Sequence, residues 1–231
     1  MDDLIPQGDG RTEAKRDGFR KLYTGVWAVI GADVVGDVIE FGTHTGMTAK
    51  VLAKSLADNT LPRRTPKRLL MLDSFEGLPE ATSPIDQDSP HVAQQHWHPG
   101  LCRGASQDEL RAMIAGYLPA DRFDIVPGWF ADSLASLPDD TRLGLLHIDC
   151  DLYQSTMDAL SPCFARGFVT EGAHLYFDDW NCNRASPKYG ERKAWGELVD
   201  QFAIEFSDGG DYGAFGHKLI VHGYQGMPAG A

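Results

Sequence analysis

The stretch Leu143-Gly-Leu-Leu-His-Ile-Asp149-Cys-Asp151-Leu-Tyr153 runs largely apolar and then turns acidic, and about a helix further on Ala173-His-Leu-Tyr-Phe-Asp178-Asp179-Trp180 does the same. The two apolar runs read as buried strands, joined by a helix from about Gln154 to Ala165. In an open α/β sheet, ligands sit outside the carboxyl ends of the strands, so Asp149, Asp151, Asp178 and Asp179 are expected to face one crevice. Four uncompensated carboxylates repel one another, and a divalent cation offsets that repulsion. The stretch therefore predicts a metal-assisted active site. A single Asp at a strand end is more often a helix cap than a ligand; two acidic pairs at successive strand ends favour the metal.

Working outward, Gly36-Asp-Val-Ile-Glu40-Phe-Gly42-Thr-His-Thr-Gly46 reads as a turn, a buried strand, a glycine-bearing loop and the start of a helix over Met47 to Leu56. Glycines between a first strand and its helix let a cofactor approach the backbone, with helix N–H groups aimed at it. The next strand, Arg68-Leu-Leu-Met-Leu-Asp73, ends in an acid about thirty residues after the first glycine, a place from which a carboxylate accepts both hydroxyls of a ribose. A third strand, Phe123-Asp-Ile-Val-Pro-Gly128, follows the capping box of Ser106 and Glu109, which opens a helix over Gln107 to Leu118. A helix over Arg192 to Phe206 and an edge strand over Phe215 to His222 close the chain. Such strand–helix alternation predicts an α/β fold with a doubly wound, mostly parallel, Rossmann-like sheet and right-handed crossovers.

Two segments stand outside that alternation. Residues 1 to 11 are polar and read as a mobile start. From Thr12, Phe19, Leu22, Tyr23, Val26, Trp27 and Ile30 form one helical stripe, which packs on the domain or covers the substrate. The same stripe leaves a homo-oligomeric interface open. From Glu80 to Gly104 the chain is rich in Pro, His, Gln and Asp with little periodicity, the mark of a lid loop. His91, His96 and His98, with Trp97 beside them, suggest ligands or a substrate clamp, but the three are read as exposed loop histidines in preference, and His147 as a satisfied core histidine.

Composition sets bounds. The 231 residues suffice for one large domain, here 1–231 with an N-terminal extension over 1–35 and the lid over 80–104. A net charge of -12 disfavours a phosphate-tracking nucleic-acid surface and leaves a small-molecule partner. Cys102, Cys150, Cys163 and Cys182 have neither zinc-finger nor CxxC spacing and are expected as free thiols. The opening residues show no signal-peptide pattern, and no apolar run reaches the roughly 18 residues of a membrane span, so the expected location is cytoplasmic and not membrane-bound.

The motifs Gly36-Asp-Val-Ile-Glu40-x-Gly, Asp73-Ser-Phe-Glu-Gly-Leu-Pro79, Gly128-x-Phe-x-Asp-Ser-Leu134, Ile148-Asp-x-Asp-Leu-Tyr-x-Ser-Thr156 and Phe177-Asp-Asp-Trp180 occur in an order that resembles the macrocin O-methyltransferase family. The resemblance implies a class I methyltransferase sheet, S-adenosylmethionine as donor and Mg2+-assisted methylation of a hydroxyl, in a sugar or glycosylated natural product. It implies Asp149, Asp178 and Asp179 as metal ligands and Asp151 as general base. It further implies a cofactor site in which Glu40, Gly42 and Gly46 line the methionine end and Asp73 holds the ribose, with Thr43 and Ser74 also binding the cofactor. The same resemblance implies Gly128 and Trp129 bordering the adenine, and Asp149 shared between cofactor and cation. Gly104-Ala-Ser-Gln-Asp108 is similar to the adenine loop of catechol methyltransferases but precedes its helix, and is set aside.

The chemistry agrees with the resemblance. A hydroxyl is a poor nucleophile, and a coordinating cation lowers its pKa while fixing it for attack. Mg2+ takes oxygen ligands and keeps open positions in its shell, which suits a few carboxylates and a diol. Asp151, two residues past Asp149, is placed to take the proton. Tyr153 and the loop from Trp180 to Arg184 are expected to shape the acceptor pocket with the lid. Three other readings compete. A nicotinamide-dependent oxidoreductase does not need the four carboxylates, a metal-dependent phosphoester hydrolase does not need the glycine loop, and a binding module keeps S-adenosylmethionine affinity without turnover.

Overall fold

A computed structural model describes residues 10–59 and 67–228; the expectation for residues 1 to 9 lies outside them. The elements are α1 (Gly10–Gly31), β1 (Asp37–Phe41), α2 (Met47–Asp58), β2 (Leu69–Asp73), α3 (Pro84–Gln87), α4 (Pro90–Ala93), α5 (Gln107–Ala115), β3 (Phe123–Pro127), α6 (Phe130–Ser133), β4 (Leu143–Ile148), α7 (Tyr153–Ala165), β5 (Val169–Phe177), α8 (Gly190–Phe202), β6 (Glu205–Tyr212) and β7 (Gly216–Gly223). They build a seven-stranded sheet in the order β3-β2-β1-β4-β5-β7-β6. Strands β1 to β5 are parallel, β7 is antiparallel to β5, and β6 is antiparallel to β7. The strand order reverses between β1 and β4, where a doubly wound sheet opens its crevice.

Alternate residues of each central strand serve opposite faces. Val38, Leu69, Met71 and Leu145 pack with Leu22, Val26, Val51, Leu52, Leu110 and Ile114 on one face. On the other, Ile39, Phe41, Leu72, Ile148 and Phe177 pack with Leu160, Phe164, Trp195 and Leu198. All six residues of β4 are buried, which explains a run without polar alternation. The N-terminal stripe packs on the domain, with Leu22, Val26 and Ile30 buried. Gly25 makes that approach possible, since a Cβ there would stand 2.3 Å from the Tyr176 hydroxyl.

Three expectations are corrected. The helix expected to reach Phe206 ends at Phe202, where Ala203 takes a left-handed φ of 49°. The strand expected at the sheet edge is β7, which lies between β5 and β6. The edge itself is β6, Glu205-Phe-Ser-Asp-Gly-Gly-Asp-Tyr212, seven of whose eight residues are exposed; its strand form comes from pairing with β7 and not from its composition. The Glu80 to Gly104 segment carries regular structure after all: Ser83-Pro84 and Ser89-Pro90 open α3 and α4 with proline at the first helical position. Its base is closed by hydrogen bonds between Leu78 and Leu101 (2.7 Å) and between Gly100 and Leu78 (2.9 Å). The Ser106–Glu109 capping box forms as expected. No helix among the described residues is long and apolar enough to cross a membrane.

Candidate active site

The carboxyl ends of β1, β2, β3, β4 and β5 meet at a cavity of about 270 Å3. Its first wall is the loop between β1 and α2. Gly42 has a φ of 84°, and a Cβ on it would stand 2.2 Å from the Asp149 carbonyl oxygen, so this close passage under the end of β4 excludes any side chain. Gly46, also left-handed, offers α2 no side-chain cap, which leaves the first N–H groups of that helix open to an anion.

Asp73, at the end of β2, does more than the sequence indicates. Its Oδ2 accepts from Thr43 N (2.7 Å), Thr43 Oγ1 (2.9 Å) and His44 N (3.2 Å), and so pins the glycine loop. Among the described residues Oδ1 accepts from Phe75 N alone, at 2.7 Å, which leaves it a lone pair for a ribose hydroxyl. Ser74 follows on the cavity wall, and Gly128 and Trp129 face it from the end of β3. Gly42 and Asp149 also line the cavity, whereas Glu40, Thr43 and Gly46 are not part of its wall.

The acidic centre forms the other wall. Carboxylate oxygens of Asp149, Asp151 and Asp179 lie within 4.8 Å of one another. Asp151 reaches this position from a left-handed backbone, φ 57°, a conformation that costs a non-glycine residue about 1–2 kcal/mol. Burial, followed by the repulsion of its neighbours, raises Asp149 and Asp151 well above the usual carboxylate range and Asp179 to about 6. These are carboxyls held together against their own charge. Asp178 stands outside the trio, 43% exposed, with Oδ1 3.9 Å from His147 Nε2.

His147 is buried with Nδ1 3.0 Å from Glu40 Oε1, but its Nε2 is buried without a hydrogen-bond partner among the described residues, so the expected satisfied core histidine is satisfied on one side only. Burial opposes its protonation, but the carboxylates of Asp178 and Glu40 on either side hold its pKa up to about 10. It thus links the ends of β1 and β5. Glu40 Oε2 is a buried oxygen without a hydrogen-bond partner among the described residues.

Other expectations are redistributed. His91 pairs with Asn183 and packs on Trp97 at 4.6 Å, His98 bonds the Pro99 carbonyl, and none of the three lid histidines lines the cavity. Tyr153 was expected to shape the acceptor pocket, yet its hydroxyl donates to Glu197 Oε2 at 2.5 Å on α8. Trp180 stacks on His217 at 5.1 Å, and the loop from Trp180 to Arg184 is likewise absent from the cavity wall. The wall holds instead His44, Cys102 from the lid, and Ser155 and Asp158 on α7.

Two further acids went unnoticed in the sequence. Asp86, 1% exposed, caps α7 from the lid by accepting from Tyr153 N (2.7 Å) and Gln154 N (3.1 Å). Glu191, also 1% exposed, accepts from Asp179 N at 3.0 Å and from Cys150 N at 3.5 Å. Neither belongs to a sequence motif, because only the tertiary fold brings each to its partners.

A 3-2-1-4-5-7-6 sheet with a glycine loop after β1, an acid after β2 and carboxylates after β4 and β5 defines a class I O-methyltransferase fold. The O-methyltransferase NovP superposes with a TM-score of 0.68 at 23% identity, over 89% of this chain and 79% of that one. The family profile described as macrocin-O-methyltransferase (TylF) matches residues 9–200, and the chain belongs to that family. Among curated relatives, the demethyldecarbamoylnovobiocin O-methyltransferase of Streptomyces niveus is 29% identical over 183 residues, 78% of this chain and 67% of the relative. The 8-demethyl-8-(2,3-dimethoxy-alpha-L-rhamnosyl)-tetracenomycin-C 4'-O-methyltransferase of Streptomyces olivaceus is 32% identical over 159 residues, 67% and 57% of the two chains. The chain thus spans about three fifths to two thirds of the length of these relatives.

Proposed function

We propose that the chain acts as a single domain which transfers a methyl group from S-adenosylmethionine to a hydroxyl of a small molecule, a sugar or glycosylated natural product, with the help of Mg2+. The observation that carries this reading is the convergence of Asp149, Asp151 and Asp179 beside a cavity whose opposite wall is Asp73, Ser74, Gly128 and Trp129. The relatives' activities, O-methylation of demethyldecarbamoylnovobiocin and of a rhamnosyl-tetracenomycin, support the acceptor class.

The residues fit both groups. The three buried or half-buried carboxyls, raised by burial and then by mutual repulsion, are an oxygen donor set that calls for a hard cation. Asp149 and Asp179 would hold it, with Asp178, its neighbour in sequence, as the third ligand. When bound, Mg2+ lowers the pKa of a coordinated hydroxyl and fixes its oxygen. The uncapped N-terminus of α2 and the spare lone pair of Asp73 Oδ1 fit the carboxylate and ribose of the donor, and Glu40, Gly42, Thr43 and Gly46 shape that end from wall and backing. Gly128 and Trp129 border the adenine.

Asp151 is the general base. Its carboxyl lies beside Asp179 at the cavity, where it can take the hydroxyl proton as the oxygen gains the methyl and the donor leaves as a neutral thioether. No covalent enzyme intermediate is needed. Two measurements test the reading. Thermal shift should show stabilisation by S-adenosylhomocysteine and none by NAD; stabilisation by NAD alone rejects it. Methyl uptake by hydroxylated natural products should stop with EDTA and return with Mg2+.

A further inference from the structure

Beyond Phe177 the pairing of β4 with β5 ends with a hydrogen bond from Asp178 N to Ile148 O at 2.9 Å. The acidic residues that follow sit on two separate loops, one running through Asp149, Cys150 and Asp151, the other through Asp179. One buried side chain touches the backbone of both. Glu191, in the first turn of α8, accepts from Cys150 N through Oε1 at 3.5 Å and from Asp179 N through Oε2 at 3.0 Å. Cys150 N lies between Asp149 and Asp151, and Asp179 N belongs to the third acid itself. A carboxylate in a first helical turn ordinarily serves its own helix; here both oxygens reach away from α8. Glu191 is 1% exposed and is not part of the cavity wall, so it contacts no bound molecule there.

We infer that Glu191 is a positioning residue: it clamps the two acidic loops at a fixed spacing and thereby sets the affinity of the site for its divalent cation. The inference rests on the cation site proposed above. The clamp needs two acceptors at one reach. Glutamine keeps the volume but replaces one acceptor with an NH2 that faces an N–H, and aspartate keeps charge and both acceptors but is one methylene shorter. Partners that orient ligands in this way typically change metal affinity by about 10–100-fold when replaced.

The test is isothermal titration of Mn2+ and, separately, of S-adenosylhomocysteine into the full chain and its Glu191→Gln and Glu191→Asp variants. Both variants should bind Mn2+ about 10–100-fold more weakly, with S-adenosylhomocysteine affinity unchanged. Aspartate decides between geometry and charge: wild-type Mn2+ affinity in Glu191→Asp, even with a weak Glu191→Gln, overturns the clamp. Parallel loss of both ligands marks general destabilisation and also overturns it. If Glu191→Gln does not fold, Glu191→Asp carries the test alone. A wild-type chain that binds S-adenosylhomocysteine but no Mn2+ overturns the cation site itself, and the inference with it.

Discussion

Carboxylate oxygens of Asp151 and Asp179 lie within 4.8 Å of each other across the gap between the loops that follow β4 and β5. Two buried carboxyls this close resist losing both protons, because the second charge would face the first. The folded site therefore holds protons that the unfolded chain releases.

The sign of the pH dependence follows. Asp179 titrates at about 6 in the fold, and Asp149 and Asp151 are raised further, by burial and then by their neighbours. Above the ordinary carboxyl pKa of about 4, the folded chain holds more protons than the unfolded one, so stability falls as pH rises. In EDTA, the melting temperature should decline from pH 5 towards pH 8 as far as these groups govern it. Added Mg2+ should raise it most at pH 8, where the carboxylates are free to bind. A Mg2+ effect that is largest at pH 5 contradicts this account.

Asp151→Asn should separate binding from chemistry. The amide fills the same space but cannot take the proton, and turnover should fall by about 10²–10⁴. S-adenosylhomocysteine affinity should persist. Near-normal turnover at saturating Mg2+ rejects Asp151 as base.

Gly42→Ala tests the close passage of the glycine loop. The new Cβ would meet the Asp149 carbonyl oxygen at 2.2 Å from a backbone with φ 84°. Urea unfolding should show a loss on the order of 1–3 kcal/mol, together with weaker binding of both cofactor and cation. Wild-type stability would show that the loop relaxes freely.

Asp86→Ala tests the attachment of the lid. Its carboxylate satisfies the Tyr153 and Gln154 N–H groups at the start of α7, where Leu152 supplies no side-chain cap. Leaving those donors unmet costs about 1–3 kcal/mol. Limited proteolysis should then cut within residues 80–104 faster than in the wild type, while cleavage elsewhere is unchanged.

The sheet was legible because its signal is local. The apolar runs ending at Asp149 and Asp178 could only be covered strands, and the helix between them forced a parallel crossover. The acids at their ends were legible for the same reason, since a strand end fixes where the next residue points. β6 was not: its glycines and aspartates carry no strand pattern, and only the ladder to β7 makes it a strand. The second set of acids was equally hidden. Asp86, Asp158 and Glu191 come to the site from a lid turn and two helices, and nothing in their own segments marks the backbone or cavity they face. Asp73 shows a milder form of the gap. Its place at the end of β2 was readable, but its hold on Thr43 and His44 depends on the distance between two strand ends.

The most direct test is a crystal structure of the chain grown with S-adenosylhomocysteine and Mn2+, with data collected at the manganese absorption edge. The account predicts one anomalous peak within bonding distance of Asp149 and Asp179, and the thioether cofactor along Asp73, Ser74, Gly128 and Trp129. A cofactor in place with no peak among these carboxylates would contradict it.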